Sequence, residues 1–186
     1  MLLKIKYKII KRINEINIVK KLYNFGKNFF INSSLVILIF LIDRISKIYV
    51  INLDEKLTES EIFSSKFLNI YLVWNEGIAF GLFSSKDSNF YNIITFLIIL
   101  IIMILFYMIT QSQGIQKYSL FMILGGAIGN AFDRILYKSV PDFIDFHINE
   151  FHWFIFNVAD IFITIGVICM ILTELIASNK KKHEDI

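Results

Sequence analysis

Proline occurs once, at Pro141, cysteine once, at Cys169, and charged residues fill only 19% of the 186 positions. A single cysteine excludes an intrachain disulfide. Standing inside an apolar run, it reads as a small packing residue. With one proline and eight glycines, no Gly-, Ser- or Pro-rich linker divides the chain, and no internal repeat is visible. The shortage of charge restricts the class most. A soluble domain carries about one charged residue in four, whereas here 56% of residues are apolar and 19 are Phe. Mean hydropathy is +0.62. A soluble helical bundle fits poorly, because the runs at 90–110 and 158–178 are apolar all round and leave no polar face for water.

Four runs approach the ~20 residues that a spanning helix needs: Ser34–Asn52, Phe90–Thr110, Tyr118–Tyr137 and Val158–Ser178. The first is broken by "DRISK" and the third by "GNAFDR". Four spans place both termini on one side of the membrane. Lys4, Lys6, Lys8, Lys11, Arg12, Lys20, Lys21 and Lys27 precede the first span, and Lys180, Lys181 and Lys182 follow the last. The positive-inside rule makes that side cytoplasmic. The net charge of +3 then reflects topology, and nothing else in the chain points to a nucleic-acid partner. The expected organisation is a basic extension over residues 1–33, a membrane domain over 34–178 and a basic tail over 179–186. The extension lacks the continuous apolar core of a cleavable signal peptide. Ile5, Ile9, Ile13 and Ile16 suit an amphipathic helix on the membrane face, with a disordered tail or a misassigned start as the alternatives.

Segments 53–89 and 138–157 fall on the outer side. Alternation over Phe67–Trp74 predicts a strand ending at the turn "NEG". "PDFIDFHI" also has strand character, with Asp142, Ile144 and Phe146 on one face and Phe143, Asp145 and His147 on the other. Asp145 is thereby expected to point into solvent, with His147–Phe156 a loop anchored at the bilayer surface by Trp153. His147 and His152 fit no familiar metal spacing, and packing at the interface is expected of them.

Polar groups within or beside spans are costly and stand out as functional candidates. In "DRISK", Asp43 and Lys47 lie at i,i+4 and can pair on one helix face, which reads as structural. A Ser46/Lys47 nucleophilic dyad is poorly placed, since adjacent helical residues point about 100° apart. In "NEGIAFG", Asn75 offers donors and an acceptor, and Gly77 and Gly81 permit unusual backbone. In "GGAIGNAFDR", Gly125, Gly126 and Gly129 let a neighbouring helix or a substrate segment approach, beside Asn130, Asp133 and Arg134. Asn157 and Asp160 open the last run at i,i+3, where a capping role is available. Asp142 ends the preceding segment at the same face. Two carboxylates that meet cannot both ionise cheaply, so one acid and one base coexist near neutral pH and can activate a water.

"DRISK", "NEGIAFG", "GGAIGNAFDR", "VPDF" and "FNVAD", in this order over Ser34–Ser178, resemble lipoprotein signal peptidase, or signal peptidase II. The resemblance implies an aspartyl endopeptidase of the bacterial cytoplasmic membrane that needs no cofactor or metal. It implies four transmembrane helices with an extracytoplasmic β-sheet cradle and an amphipathic interfacial helix. The implied substrate is a diacylglyceryl-modified prolipoprotein, cut just before the lipidated cysteine, with membrane lipid as the other partner and globomycin as an inhibitor. A monomer with its site near the outer face is expected. By motif, Asp142 and Asp160 are the catalytic pair, with Asp133 a rival for the first. Asp142 is preferred because a cation beside Asp133 would hold it ionised. Asn75, Asn130, Arg134 and Asn157 match positions around the substrate, and Asp43, Lys47, Gly77, Gly126 and Asp133 support the site. Pro141 departs from the family's usual aliphatic residue and suits an edge or strand-start position. Two other classes stay open on the residues alone: a proton-coupled carrier, and a non-catalytic assembly factor that packs through "GGAIG".

Overall fold

The computed structural model describes residues 33–57, 61–77 and 88–184. The N-terminal extension, including its expected amphipathic helix, lies outside the described residues, and a separate interfacial helix is not found among them. Among the described residues there are four helices: α1 (33–54), α2 (Ser88–Gln111), α3 (Gly114–Tyr137) and α4 (Val158–Glu184). Stretches of α2, α3 and α4 are long and apolar enough to cross a membrane, at Tyr91–Gln111, Gly114–Tyr137 and Val158–Ser178. Helix α1 carries Asp43, Arg44 and Lys47 near its middle, and its pattern is inside-out. Ile39, Asp43, Lys47 and Val50 are buried at helical spacing, while Ile37, Leu41, Ile45 and Ile48 face outward. A helix with its charges inward and its aliphatics outward suits an apolar surround.

Helix α3 is the hub, packing on α4 and α2 and on α1. Its glycines are divided between two neighbours. A Cβ on Gly125 would stand 3.0 Å from Ile39 Cβ, and one on Gly129 would stand 2.7 Å from Asp43 Oδ2, both on α1. A Cβ on Gly126 would meet Ala159 O at 2.5 Å and Ile163 Cγ1 at 2.7 Å on α4. The glycine track is therefore filled by the chain's own helices and gives no room for a substrate segment, which corrects one of the two uses open to it from sequence. Gly126→Ala is expected to prise α3 from α4 and destabilise by about 1–3 kcal/mol, the usual range for overpacking. Thermal unfolding in detergent measures it. Leu105, Ile109, Leu120, Phe121, Ile123 and Leu124 form the apolar core between α2 and α3.

Four antiparallel strands, in the order β1-β2-β3-β4, cap one end of the helices: β1 (Phe63–Ser64), β2 (Leu68–Asn75), β3 (Val140–Ile148) and β4 (Phe151–Phe156). Both predicted strands are present. The segment expected as a loop over His147–Phe156 is instead a hairpin, closed by the two residues Asn149 and Glu150, with Asn149 at φ 52°. Asparagine tolerates that left-handed conformation, which tight hairpins need. Pro141 pairs opposite Trp74 of β2 and precedes the stretch, from Ile144, where β4 joins. It is bordered by one strand only, as a residue without an N–H requires. The register sets Asn75 opposite Val140 and Val73 opposite Asp142, so the end of β2 meets the start of β3. Strand β4 then runs directly into Asn157 and α4.

Candidate active site

The site forms where β2, β3 and the start of α4 meet α3. Asn157 is the N-cap of α4, and Asn157 with Asp160 forms a reciprocal capping box. The Asp160 N–H donates to Asn157 Oδ1 (3.2 Å), and the Asn157 N–H donates to Asp160 Oδ2 (3.1 Å). The helix-cap role available to Asp160 is therefore realised, but it uses one carboxylate oxygen. The other, Oδ1, accepts Asn130 Nδ2 at 2.8 Å.

The same cap reaches Asp142. Asn157 Nδ2 donates to Asp142 Oδ1 at 2.6 Å, and Asn75 Nδ2 to Asp142 Oδ2 at 2.8 Å. Asn75 Oδ1 in turn accepts the Gly77 N–H at 2.8 Å, which folds the "NEG" turn back onto the site. Asn75, Asn130 and Asn157 thus hold the two aspartates from three different elements. Asp142 is 3% exposed. Burial first, and the charge of Asp160 second, push its carboxyl up to about 7, against the hydrogen bonds from Asn75 and Asn157 and the charge of Lys47.

That raised value has a consequence for stability. An unfolded chain gives up the Asp142 proton near its ordinary value of 3.8, while the folded chain keeps it to about 7. The folded state binds the extra proton between those values, so the contribution is full below the lower one and is lost as pH rises through the upper. Melting temperature is expected to fall between pH 5 and about 8 by more in the wild type than in Asp142→Asn, which has no proton to lose there. Equal slopes would show that Asp142 is ionised throughout.

Behind the pair lies a buried charge cluster. Lys47 Nζ contacts Asp43 Oδ2 (2.9 Å), Asp133 Oδ2 (2.7 Å) and Asn130 Oδ1 (2.9 Å). Arg44 bridges Asp133 (2.5 Å) and Asp43 (3.2 Å). Asp133 is therefore paired with two cations of α1, not with the adjacent Arg134, and it stands apart from Asp142 and Asp160. Asp43 Oδ1 also accepts the Ala159 N–H at 3.0 Å, tying α1 to the first turn of α4. Ser46 donates to the Asp43 carbonyl oxygen at 2.8 Å, so it makes no dyad with Lys47.

Arg134 donates to the Gly77 carbonyl oxygen, and its own carbonyl oxygen accepts the Tyr91 hydroxyl at 2.5 Å. Its Nε and Nη1 are buried without a partner among the described residues. Arg134 also lines a cavity of about 410 Å³, together with Ile98 and Ile101 of α2, Ile123, Ala127 and Asn130 of α3, and Ile163 and Val167 of α4. Asn75, Asp142, Asn157 and Asp160 close its end. A second groove runs under the sheet between Phe67, Phe146, Trp153, Phe156 and Ile165, and Asp160 and Thr164 line both. Tyr91 and Thr164 were not singled out from sequence. Neither carries a signal there, since their roles arise from helix packing.

Asp145 differs from expectation. It is fully buried, flanked across the sheet by His152 Nδ1 of β4 at 2.7 Å and by Tyr71 of β2.

Helices long and apolar enough to cross a membrane, packed around buried polar groups, mark the class as a membrane protein. A solved structure described as a bacterial membrane enzyme, determined by the in meso method at 2.3 Å, superposes with a TM-score of 0.67 and 32% identity, covering 81% of this chain and 90% of that one. Residues 35–176 match the family model for signal peptidase (SPase) II, and the chain belongs to that family. It is 52% identical to the lipoprotein signal peptidase of Pelagibacter ubique over 158 residues, 85% of this chain and 95% of the relative. It is 40% identical to that of Anaplasma marginale over 75% of this chain and 81% of the relative. Family membership sets aside the carrier and assembly-factor readings.

Proposed function

We propose that this chain hydrolyses the peptide bond just before the diacylglyceryl-modified cysteine of prolipoproteins, with Asp142 and Asp160 sharing a proton around one water. The observation that carries the reading is the linkage of both carboxylates through Asn157, with each also clamped by a further asparagine, at the end of a cavity in an apolar bundle. Relatives named lipoprotein signal peptidase support the substrate class.

The ionised carboxylate takes a proton from water as the oxygen attacks the scissile carbonyl, and the other carboxyl protonates the carbonyl oxygen. The tetrahedral intermediate then collapses as the C–N bond breaks, the leaving amine taking the proton that the first carboxylate took from water and the second carboxylate regaining a proton from a hydroxyl of the intermediate. The resting proton belongs to the pair, which titrates as a unit. Neither step calls for a cofactor. The substrate's signal helix enters the cavity between α2, α3 and α4. Arg134 Nε and Nη1 meet a substrate carbonyl there, while Asn75, Asn130 and Asn157 position the aspartates and border the scissile backbone. The lipid chains follow the apolar groove beneath the sheet.

Helix α1 serves as the fourth span, in keeping with its outward aliphatics. The lysine-rich ends face the cytoplasm, and the sheet and site face outward across the bacterial cytoplasmic membrane. The chain acts as a monomer in this reading. The test is incubation of the detergent-solubilised chain with a diacylglyceryl prolipoprotein and with its unlipidated precursor. Cleavage of the first only, at the residue before cysteine and blocked by globomycin, is expected. No cleavage by an intact preparation, or equal cleavage of both, overturns the reading.

A further inference from the structure

Asp145 and His147 lie two apart on β3 and so share a face, and the β3–β4 register puts His152 directly opposite His147. Asp145, His147 and His152 each offer a donor atom, and these donors lie within 4.8 Å of one another. We propose that these three side chains form a binding site for a borderline divalent transition ion, of which zinc is the type, on the β3–β4 hairpin.

One further observation favours an ion over a simple Asp–His pair. The pair uses Asp145 Oδ2, and the Tyr71 hydroxyl of β2 engages the same buried carboxylate. His147 Nδ1, by contrast, is buried and makes no hydrogen bond among the described residues. A buried polar atom left unpaired is costly, and one beside a carboxylate and a second imidazole is what an unfilled ligand set looks like. Two imidazoles and a carboxylate suit zinc, which accepts nitrogen and oxygen donors with a solvent molecule in the fourth position. Tetrahedral zinc ligands stand roughly 3.3 Å apart, so small side-chain rotations close the set. The imidazoles are stacked, with centroids 5.0 Å apart and planes at 22°, and His152 has a half-exposed side chain that gives the ion a route in.

Such an ion would pin β4 to β3. Strand β3 carries Asp142 and β4 leads into Asn157 and Asp160, so occupancy would brace the connection between the two carboxylates. The site itself does not depend on the peptidase reading, and its test reads binding and stability.

The full chain in detergent, stripped with a chelator and carrying His183→Ala so that the tail contributes no imidazole, is titrated with zinc chloride. One zinc per chain, retained through desalting, is expected. Melting temperature should rise with zinc and not with magnesium, since an ion that binds only the folded state stabilises it and magnesium prefers all-oxygen sites. Cobalt in place of zinc should give the visible absorption of a four-coordinate centre. His147→Phe keeps an aromatic ring against His152 and removes one ligand. It should match the parent's melting temperature without metal, bind zinc at least about tenfold more weakly and lose the cobalt band. Asp142→Asn should retain both. The proposal is overturned if the parent binds no zinc at micromolar concentration, or if His147→Phe binds it as well as the parent does. Loss of the cobalt band in Asp142→Asn but not in His147→Phe would place the ion elsewhere and equally overturn it.

Discussion

Asp142→Asn and Asp160→Asn are each expected to lower kcat for prolipoprotein cleavage by about a thousandfold or more, with KM little changed. The size follows from what each substitution removes. General acid–base catalysis by a positioned side chain contributes ~10²–10⁴-fold, and members of one proton-sharing unit are not additive, so losing either costs nearly as much as losing both. An amide keeps the shape of a carboxyl but neither accepts the proton from water nor returns one to the carbonyl oxygen. The cavity walls from α2, α3 and α4 are untouched, which is why KM should hold. The effect is specific to these two positions because the neighbouring polar groups are otherwise engaged. Asp133 is clamped by Arg44 and Lys47, and Ser46 is bonded to the backbone. Both variants must first be shown to be folded by their melting profiles. Turnover by either within tenfold of the wild type would remove the dyad assignment while leaving family membership intact.

The sequence made the convergence of Asp142 and Asp160 legible through topology, since the two close a short connection at one membrane face. The i,i+3 spacing of Asn157 and Asp160 also pointed to a capping role, though not to its reciprocal form, and the period-two pattern foretold both long strands. Other features depend on contacts that spacing does not encode. Asp133 adjoins Arg134 in the chain, yet its partners come from α1, because successive helical residues diverge and α3 presents Asp133 to α1. The division of Gly125 and Gly129 from Gly126 depends on which helix lies against which side of α3. Asp145 looked solvated because a single strand's alternation names two faces without saying which is covered. The side chains that neighbouring strands bring beside Asp145, and the meeting of His147 and His152, rest on the hairpin register set by Asn149 and Glu150. Nor does spacing encode the bonds of Asn75, Asn130 and Asn157, each of which holds an aspartate.

Lys47→Met carries the largest expected cost in stability, about 3–5 kcal/mol, the range for removing one partner from a buried ion pair. Lys47 is wholly buried, and the cluster of Asp43, Asp133, Arg44 and Lys47 is balanced at two charges of each sign. Methionine fills the space but leaves one carboxylate uncompensated among apolar helices. Adding Asp133→Asn restores neutrality, with Arg44 still 3.2 Å from Asp43, so the double variant should recover most of the lost melting temperature. Activity should not recover with it. Lys47 Nζ donates to Asn130 Oδ1, and this contact turns the amide so that Nδ2 faces Asp160 Oδ1. Without the ammonium, nothing fixes which end of the Asn130 amide meets Asp160, and a carboxylate facing an amide oxygen loses a donor and gains repulsion. Lys47 is thereby a positioning residue, acting on Asp160 through Asn130. A double variant that regains stability but keeps a reduced kcat, with an altered pH profile for kcat, supports that chain of contacts. Full recovery of both would confine Lys47 to charge balance within the bundle.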